Sequence, residues 1–134
     1  MNIQRNTFNK SERLCSKTLI SNLFTKKSHS FVLYPYKIVW RIIEESNSPA
    51  QVCITVSKKH FKKAVDRNKF KRKIKNIHRL NKNDLYNCLN SLNLKISMMV
   101  INLSSEHLEY SKLEKKYQLV IQNLIKKINN ISGN

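Results

Sequence analysis

The sequence predicts an α/β fold of the α+β kind, a two-layer sandwich in which a four-stranded mixed sheet carries helices in the order αβββαβα. Three observations predict it. Segments near both ends of the chain repeat apolar residues at helical spacing. Four other segments are rich in β-branched and aromatic residues, and between the third and fourth of them the periodicity turns helical. A length of 134 residues, with 40% hydrophobic residues, suits one folded domain over 1–134. Its ordered core is expected to span about residues 10–129.

The first helix follows Ser16, a capping residue, and carries Leu19, Ile20, Leu23 and Phe24 on one face, with Lys26 and Lys27 at its negative end. Strand-forming residues then fill Phe31 to Tyr34 and Lys37 to Ile43. With Pro35 and Tyr36 between them, these are two strands or one strand bent at Pro35. Gln51 to Val56 alternates Val52, Ile54 and Val56 with Cys53 and Thr55, which predicts a third strand. A helix is expected from Lys62 to about Asn81. The Asn-rich stretch after it admits a short helix through Leu85, Cys88, Leu89 and Leu92. Lys95 to Leu103 is almost continuously apolar, as in a strand buried on both faces. Ser111 and Glu114 have capping-box spacing, followed by an apolar stripe of Leu113, Tyr117, Val120, Ile121, Leu124 and Ile128 on a final helix.

Twenty-six Lys and Arg against eight Asp and Glu give a formal charge of +18, which calls for an acidic partner. No apolar run is long enough for a spanning helix, and the N-terminus lacks the apolar core of a secretory signal, so a cytoplasmic protein is expected. Cys15, Cys53 and Cys88 are odd in number and widely spaced, as reduced core thiols are, and suggest neither a disulfide framework nor a zinc site. Twelve basic residues lie between Ser57 and Lys82, opposed in that stretch by Asp66 alone. On a helical wheel Phe70, Ile74 and Ile77 share one edge, while Asn68, Lys71, Arg72, Lys75 and Arg79 gather on the far side. A helix of this kind is both a core element and a cationic rod for a phosphate backbone. A lysine-rich solvated surface is the plain alternative, and it accounts well for the lysines that accompany Glu114 on the last helix. It accounts poorly for a nearly unopposed basic block.

Thr55-Val56-Ser57-Lys58-Lys59 followed by Ala64-Val65-Asp66-Arg67-Asn68-Lys69-Phe70-Lys71-Arg72-Lys73-Ile74-Lys75 is similar to the signature of the bacterial ribonuclease P protein component. Arg13-Leu14, Leu23-Phe24 and Phe31-Val32-Leu33-Tyr34 resemble the family's N-terminal half. Lys69 and Lys75 stand where the family usually has arginine, which keeps the charge and loses the guanidinium fork. His60-Phe61-Lys62-Lys63 lacks the glycine that often precedes the Ala-Val pair. The resemblance implies a left-handed βαβ crossover around the basic helix, against the general handedness rule. It also implies that Lys58, Lys59, Arg67, Asn68, Lys69, Lys71, Arg72, Lys75 and Arg79 contact a catalytic RNA. Phe24, Val32, Tyr34 and Tyr36 would then line a cleft for the single-stranded 5′ leader of precursor tRNA, although Phe24 suits a core position equally well.

The eight carboxylates and four histidines form no spaced catalytic or metal-binding cluster, so no catalytic residue and no protein-bound metal is assigned. By the resemblance the chain is the accessory subunit of an endoribonuclease that removes tRNA 5′ leaders. Catalysis is expected in the RNA subunit, with Mg²⁺ bound mainly by that RNA. The expected partners are the catalytic RNA and precursor tRNA, with no membrane and no required protein partner. The alternative is a ribosomal or other rRNA-binding basic protein.

Overall fold

A computed structural model describes residues 10–14, 17–25 and 27–132. A 3₁₀ turn at Lys10–Glu12 precedes helix α1 (Lys17–Asn22), and strands β1 (His29–Leu33), β2 (Tyr36–Ile43) and β3 (Ala50–Thr55) follow. Helices α2 (Ala64–Asn81) and α3 (Asn83–Ser91), strand β4 (Lys95–Asn102) and helix α4 (Tyr110–Ser132) complete the order. The order therefore gains one helix, α3, over the expected αβββαβα. The expected caps Ser16 and Lys26, and Cys15, lie outside the described residues, as does the Leu19 side chain.

The strands lie in the order β1-β2-β4-β3. β1 and β2 form a hairpin with Leu33 opposite Tyr36, turning at Tyr34 and Pro35, whose peptide bond is cis. Two strands thus replace the alternative of one bent strand. β4 pairs antiparallel with β2 and parallel with β3, and a parallel pair needs a long crossover, which α2 and α3 supply. Flanked by strands on both sides, β4 is buried on both faces: Ile96, Met98 and Val100 belong to the main core and Met99 to a second cluster.

Pleating assigns the rest. Tyr36, Ile38 and Trp40 of β2, with Val52 and Ile54 of β3, join α2, α3 and α4 in the main core. The α4 stripe of Leu113, Tyr117, Val120, Ile121, Leu124 and Ile128 is fully buried there, as its spacing predicted. On the opposite face Val39 and Met99 meet Leu14, Ile20 and Leu23 from the N-terminal segment and α1. Helical bonding of α4 already begins at Glu109, whose carbonyl accepts from the Leu113 N–H at 3.0 Å. Ser111 is therefore inside the helix rather than at its cap, and Glu114 accepts instead from the Asn81 amide at 3.0 Å. The end of α3 is set by Asn93 in the left-handed region (φ 55°), with the Leu94 N–H donating to the Leu89 carbonyl. This is the asparagine form of a Schellman cap.

A polar network crosses the helical layer. His78 is fully buried with Tyr117 Oη 2.6 Å from Nδ1 and Tyr86 Oη 3.2 Å from Nε2. Beside it the Lys82 ammonium pairs with Glu12 Oε1 at 2.5 Å, and both side chains are buried. Burial and the Lys82 charge together lower the His78 pKa to about 3. Its unfolded value lies near 6.5, so the unfolded chain takes up a proton that the folded chain refuses. The stability contributed is whole above pH 6.5 and drains away as pH falls toward 3. Thermal or urea unfolding of the wild type should therefore lose about 1.4 kcal/mol per pH unit from this residue across that window. His78→Gln should flatten that share of the slope, and identical slopes in the two proteins would contradict the assignment.

Candidate RNA-contacting surface

α2 is amphipathic because its apolar residues recur at three and four positions. Phe70, Ile74, Ile77 and His78 are buried against the sheet and α4. That seam forces Asn68, Arg72 and Lys75 outward, and all three are exposed. Lys71 and Arg79 are half-buried at the margins of the same outer face, Arg79 being engaged within the chain. Lys58 and Lys59 are exposed in the turn between β3 and α2. Five of the nine expected contacts therefore share one ridge along α2, and two more are exposed in the turn that leads into it.

The other two stand differently. Lys69 lies on a flank of α2, where with Asp66, Phe70, Lys73, His107 and Leu108 it lines a concavity of about 200 Å³. Arg67 is half-buried, and its Nη1 donates to the carbonyls of Phe61 and Lys62, both at 2.8 Å. This guanidinium ties α2 to its entry loop, the stretch that lacks the usual glycine. Phe61 is buried there beside Phe70 and His107, with ring centroids 5.8 and 4.9 Å away. Lys82, one of the twelve basic residues of the segment, is removed from the surface by Glu12.

On the opposite face of the sheet from α2, α3 and α4, three large apolar side chains remain open to solvent. Phe24, Val32 and Tyr34 are 68%, 60% and 55% exposed. A core role for Phe24 is thereby removed: α1 ends at Asn22, and the turn after it buries Leu23 and turns Phe24 outward. Val32 lies opposite Lys37 in the hairpin, and Arg41 Nη1, on the same face of β2, lies 3.3 Å from Thr25 Oγ1.

Tyr36 is not among these exposed side chains. It is fully buried on the other face, donates its hydroxyl to the Leu113 carbonyl at 2.9 Å and meets the Tyr117 ring edge-on at 5.6 Å. Burial raises its pKa. Parity carried the signal: Tyr36 shares a strand face with Ile38 and Trp40, and the intervening turn sets it against Tyr34. A residue that sequence reasoning passed over is Arg13, noted for the family match without a contact role. It is exposed and bridges to Val52 beside Lys71 and Lys75.

Among the described residues no three His, Cys, Asp or Glu side chains converge to hold a metal ion. Residues that clamp and residues that only present charge should separate on mutation. Arg67→Ala should lower stability by about 1 to 3 kcal/mol through its lost carbonyl contacts. Arg72→Ala should stay within about 0.5 kcal/mol of wild type in the same denaturation assay. Equal losses would show that Arg67 is not a structural tie.

The ribonuclease P family model matches residues 8–127. The ribonuclease P protein component of Porphyromonas gingivalis is 31% identical over 110 residues, covering 81% of this chain and 80% of its own length. Two solved structures share the fold. The RNase P protein of Staphylococcus aureus has a TM-score of 0.67 at 22% identity, over 86% of this chain and 96% of that one. The Thermotoga maritima protein has a TM-score of 0.65 at 23% identity, over 84% and 96%. With most of its length matched by the family model, and its basic ridge built from the residues of the signature, this chain belongs to the ribonuclease P protein family.

Proposed function

We propose that this chain serves as the protein component of ribonuclease P, associating with an RNA subunit through the α2 ridge and assisting that RNA in removing the 5′ leader of precursor tRNA. The observation that carries the reading is the ridge: signature residues lie outward on one helix face while its apolar seam is spent on the core. A +18 chain brought between two polyanions lowers their mutual repulsion, which favours assembly of catalyst and substrate. Chemistry is assigned to the RNA and to Mg²⁺ held mainly by it, with the protein supplying charge and position. Nothing favours a ribosomal role over this one, and no second protein partner is invoked.

The leader is assigned to the open patch of Phe24, Val32 and Tyr34. Two exposed rings beside an apolar strand residue suit unpaired bases, which stack without regard to sequence. Arg67 and Lys69 keep a secondary place in the contact set. Arg67 retains donors beyond the nitrogen that binds the loop, and Lys69 serves RNA that reaches around the flank of α2.

Cleavage of precursor tRNA by the cognate RNA at low Mg²⁺ should accelerate when the protein is added, and an unchanged rate would defeat the reading. Lys71→Glu with Arg72→Glu should weaken binding to the RNA subunit and reduce the magnitude of the salt slope by about 1.5. Tyr34→Ala should weaken precursor binding by roughly 5- to 150-fold. Mature tRNA, which lacks the leader, should bind as before; a loss equal for precursor and product would place Tyr34 elsewhere.

A further inference from the structure

Near the exposed edge of β3, residues 10–14 are docked by contacts from three distant parts of the chain. Arg13 forms a parallel bridge with Val52, and the Leu14 N–H donates to the Val52 carbonyl at 3.0 Å. Ser48 Oγ lies 3.0 Å from the Ser11 carbonyl and 2.8 Å from that of Ala50, its one proton shared between them. Glu12 turns inward to Lys82, seventy positions away in sequence, in the buried pair described above. Glu12 closes the 3₁₀ turn, where successive side chains lie about 120° apart, so a Glu12 drawn inward leaves Arg13 turned away from it, and Arg13 is exposed. Arg13 then shares one concavity of about 200 Å³ with Lys71 and Lys75, over a floor of Leu14, Val52, Cys53 and Ile54.

We propose that this concavity is a phosphate seat for the RNA backbone in which Arg13 is the third cation beside Lys71 and Lys75, and that the buried Glu12–Lys82 pair is the device that positions it. The proposal rests on the reading of α2 as an RNA-contacting ridge and extends that ridge onto a separate segment of chain. Three cations around one hollow repel one another, so their gathering is stabilised by an anion placed among them. Among the described residues no carboxylate pairs with Arg13, Lys71 or Lys75. The nearest acid in sequence, Glu12, would neutralise Arg13 if it faced the same way, and Lys82 withholds it. The guanidinium also supplies a planar fork for phosphate oxygens, the feature that lysine lacks at positions 69 and 75. An apolar floor under the cations suits the sugar edge of a nucleotide better than it suits a free hydrated ion.

The test is binding of the RNA subunit of ribonuclease P from the same organism, followed across about 50 to 200 mM salt. Arg13→Ala should weaken binding severalfold and reduce the magnitude of the salt slope by about 0.7 to 0.9, the share of one phosphate contact. Arg13→Lys should restore the slope and recover affinity only in part. Glu12→Ala combined with Lys82→Met removes the side chain that draws residue 12 inward and leaves no unpaired ammonium in the interior. It should lose the same increment of slope as Arg13→Ala, and adding Arg13→Ala to it should change nothing more. A merely structural pair would shift the unfolding temperature and leave the slope of the folded protein where it was. An Arg13→Ala slope equal to wild type overturns the seat, and a double-variant slope equal to wild type overturns the positioning role. Arg72→Ala, on the outer face of α2 and outside the concavity, separates the two levels. If it too leaves binding untouched, the ridge itself is wrong, whereas a loss with Arg72→Ala and none with Arg13→Ala removes only the seat.

Discussion

The contact on which the molecule depends is the seam of α2 against the sheet and α4. Phe70, Ile74 and Ile77 are buried in the main core, and each such side chain contributes on the order of 1.5 to 3 kcal/mol by leaving water. Rotating the helix to hide its charges would expose that seam and bury lysines, at a cost several times larger. The core therefore fixes the direction in which the basic residues look. Charge density makes the chain a ligand for polyanions, but the apolar period of one helix makes that density a surface with a shape.

The same logic explains which features were legible beforehand. Elements whose periodicity is unambiguous, such as the α4 stripe or the doubly buried β4, stand where their spacing predicts. The outward set Asn68, Arg72 and Lys75 follows from the α2 wheel for the same reason. Periodicity is silent about partners chosen across sequence. Nothing local distinguishes Lys82 from the lysines before it, yet Glu12 takes it inside. Nothing marks Arg67 off from Arg72 except that the carbonyls of Phe61 and Lys62 come within reach of one of them.

Tyr36 differs from these, because its burial is encoded locally, in strand parity, even though an aromatic so near Tyr34 suits a stacking role. A hairpin that places Leu33 opposite Tyr36 gives both residues the same face. Leu33 packs on the main core, so Tyr36 must as well, while Val32 and Tyr34 look the other way. One residue of turn length decides between a buried hydroxyl on the Leu113 carbonyl and an exposed ring.

The strand order then divides the two surfaces by the physics that each can use. β1 carries Val32, with Tyr34 just beyond its end, whereas β3 carries the Arg13 bridge and lies beside Lys71 and Lys75. Three strand spacings separate the edges, about 14 Å. Charges that far apart through solvent are largely screened at physiological salt, where the Debye length is about 8 Å. The ridge therefore contributes little attraction at the apolar patch, and a strand seated there must be held mainly by stacking and by the nearby Lys37. Binding at the ridge should fall steeply as salt rises, and binding at the patch only weakly. On the proposed reading, high salt should loosen the grip on a structured RNA before the grip on a single-stranded leader. Two polyanions would then share one small protein without competing for the same cations.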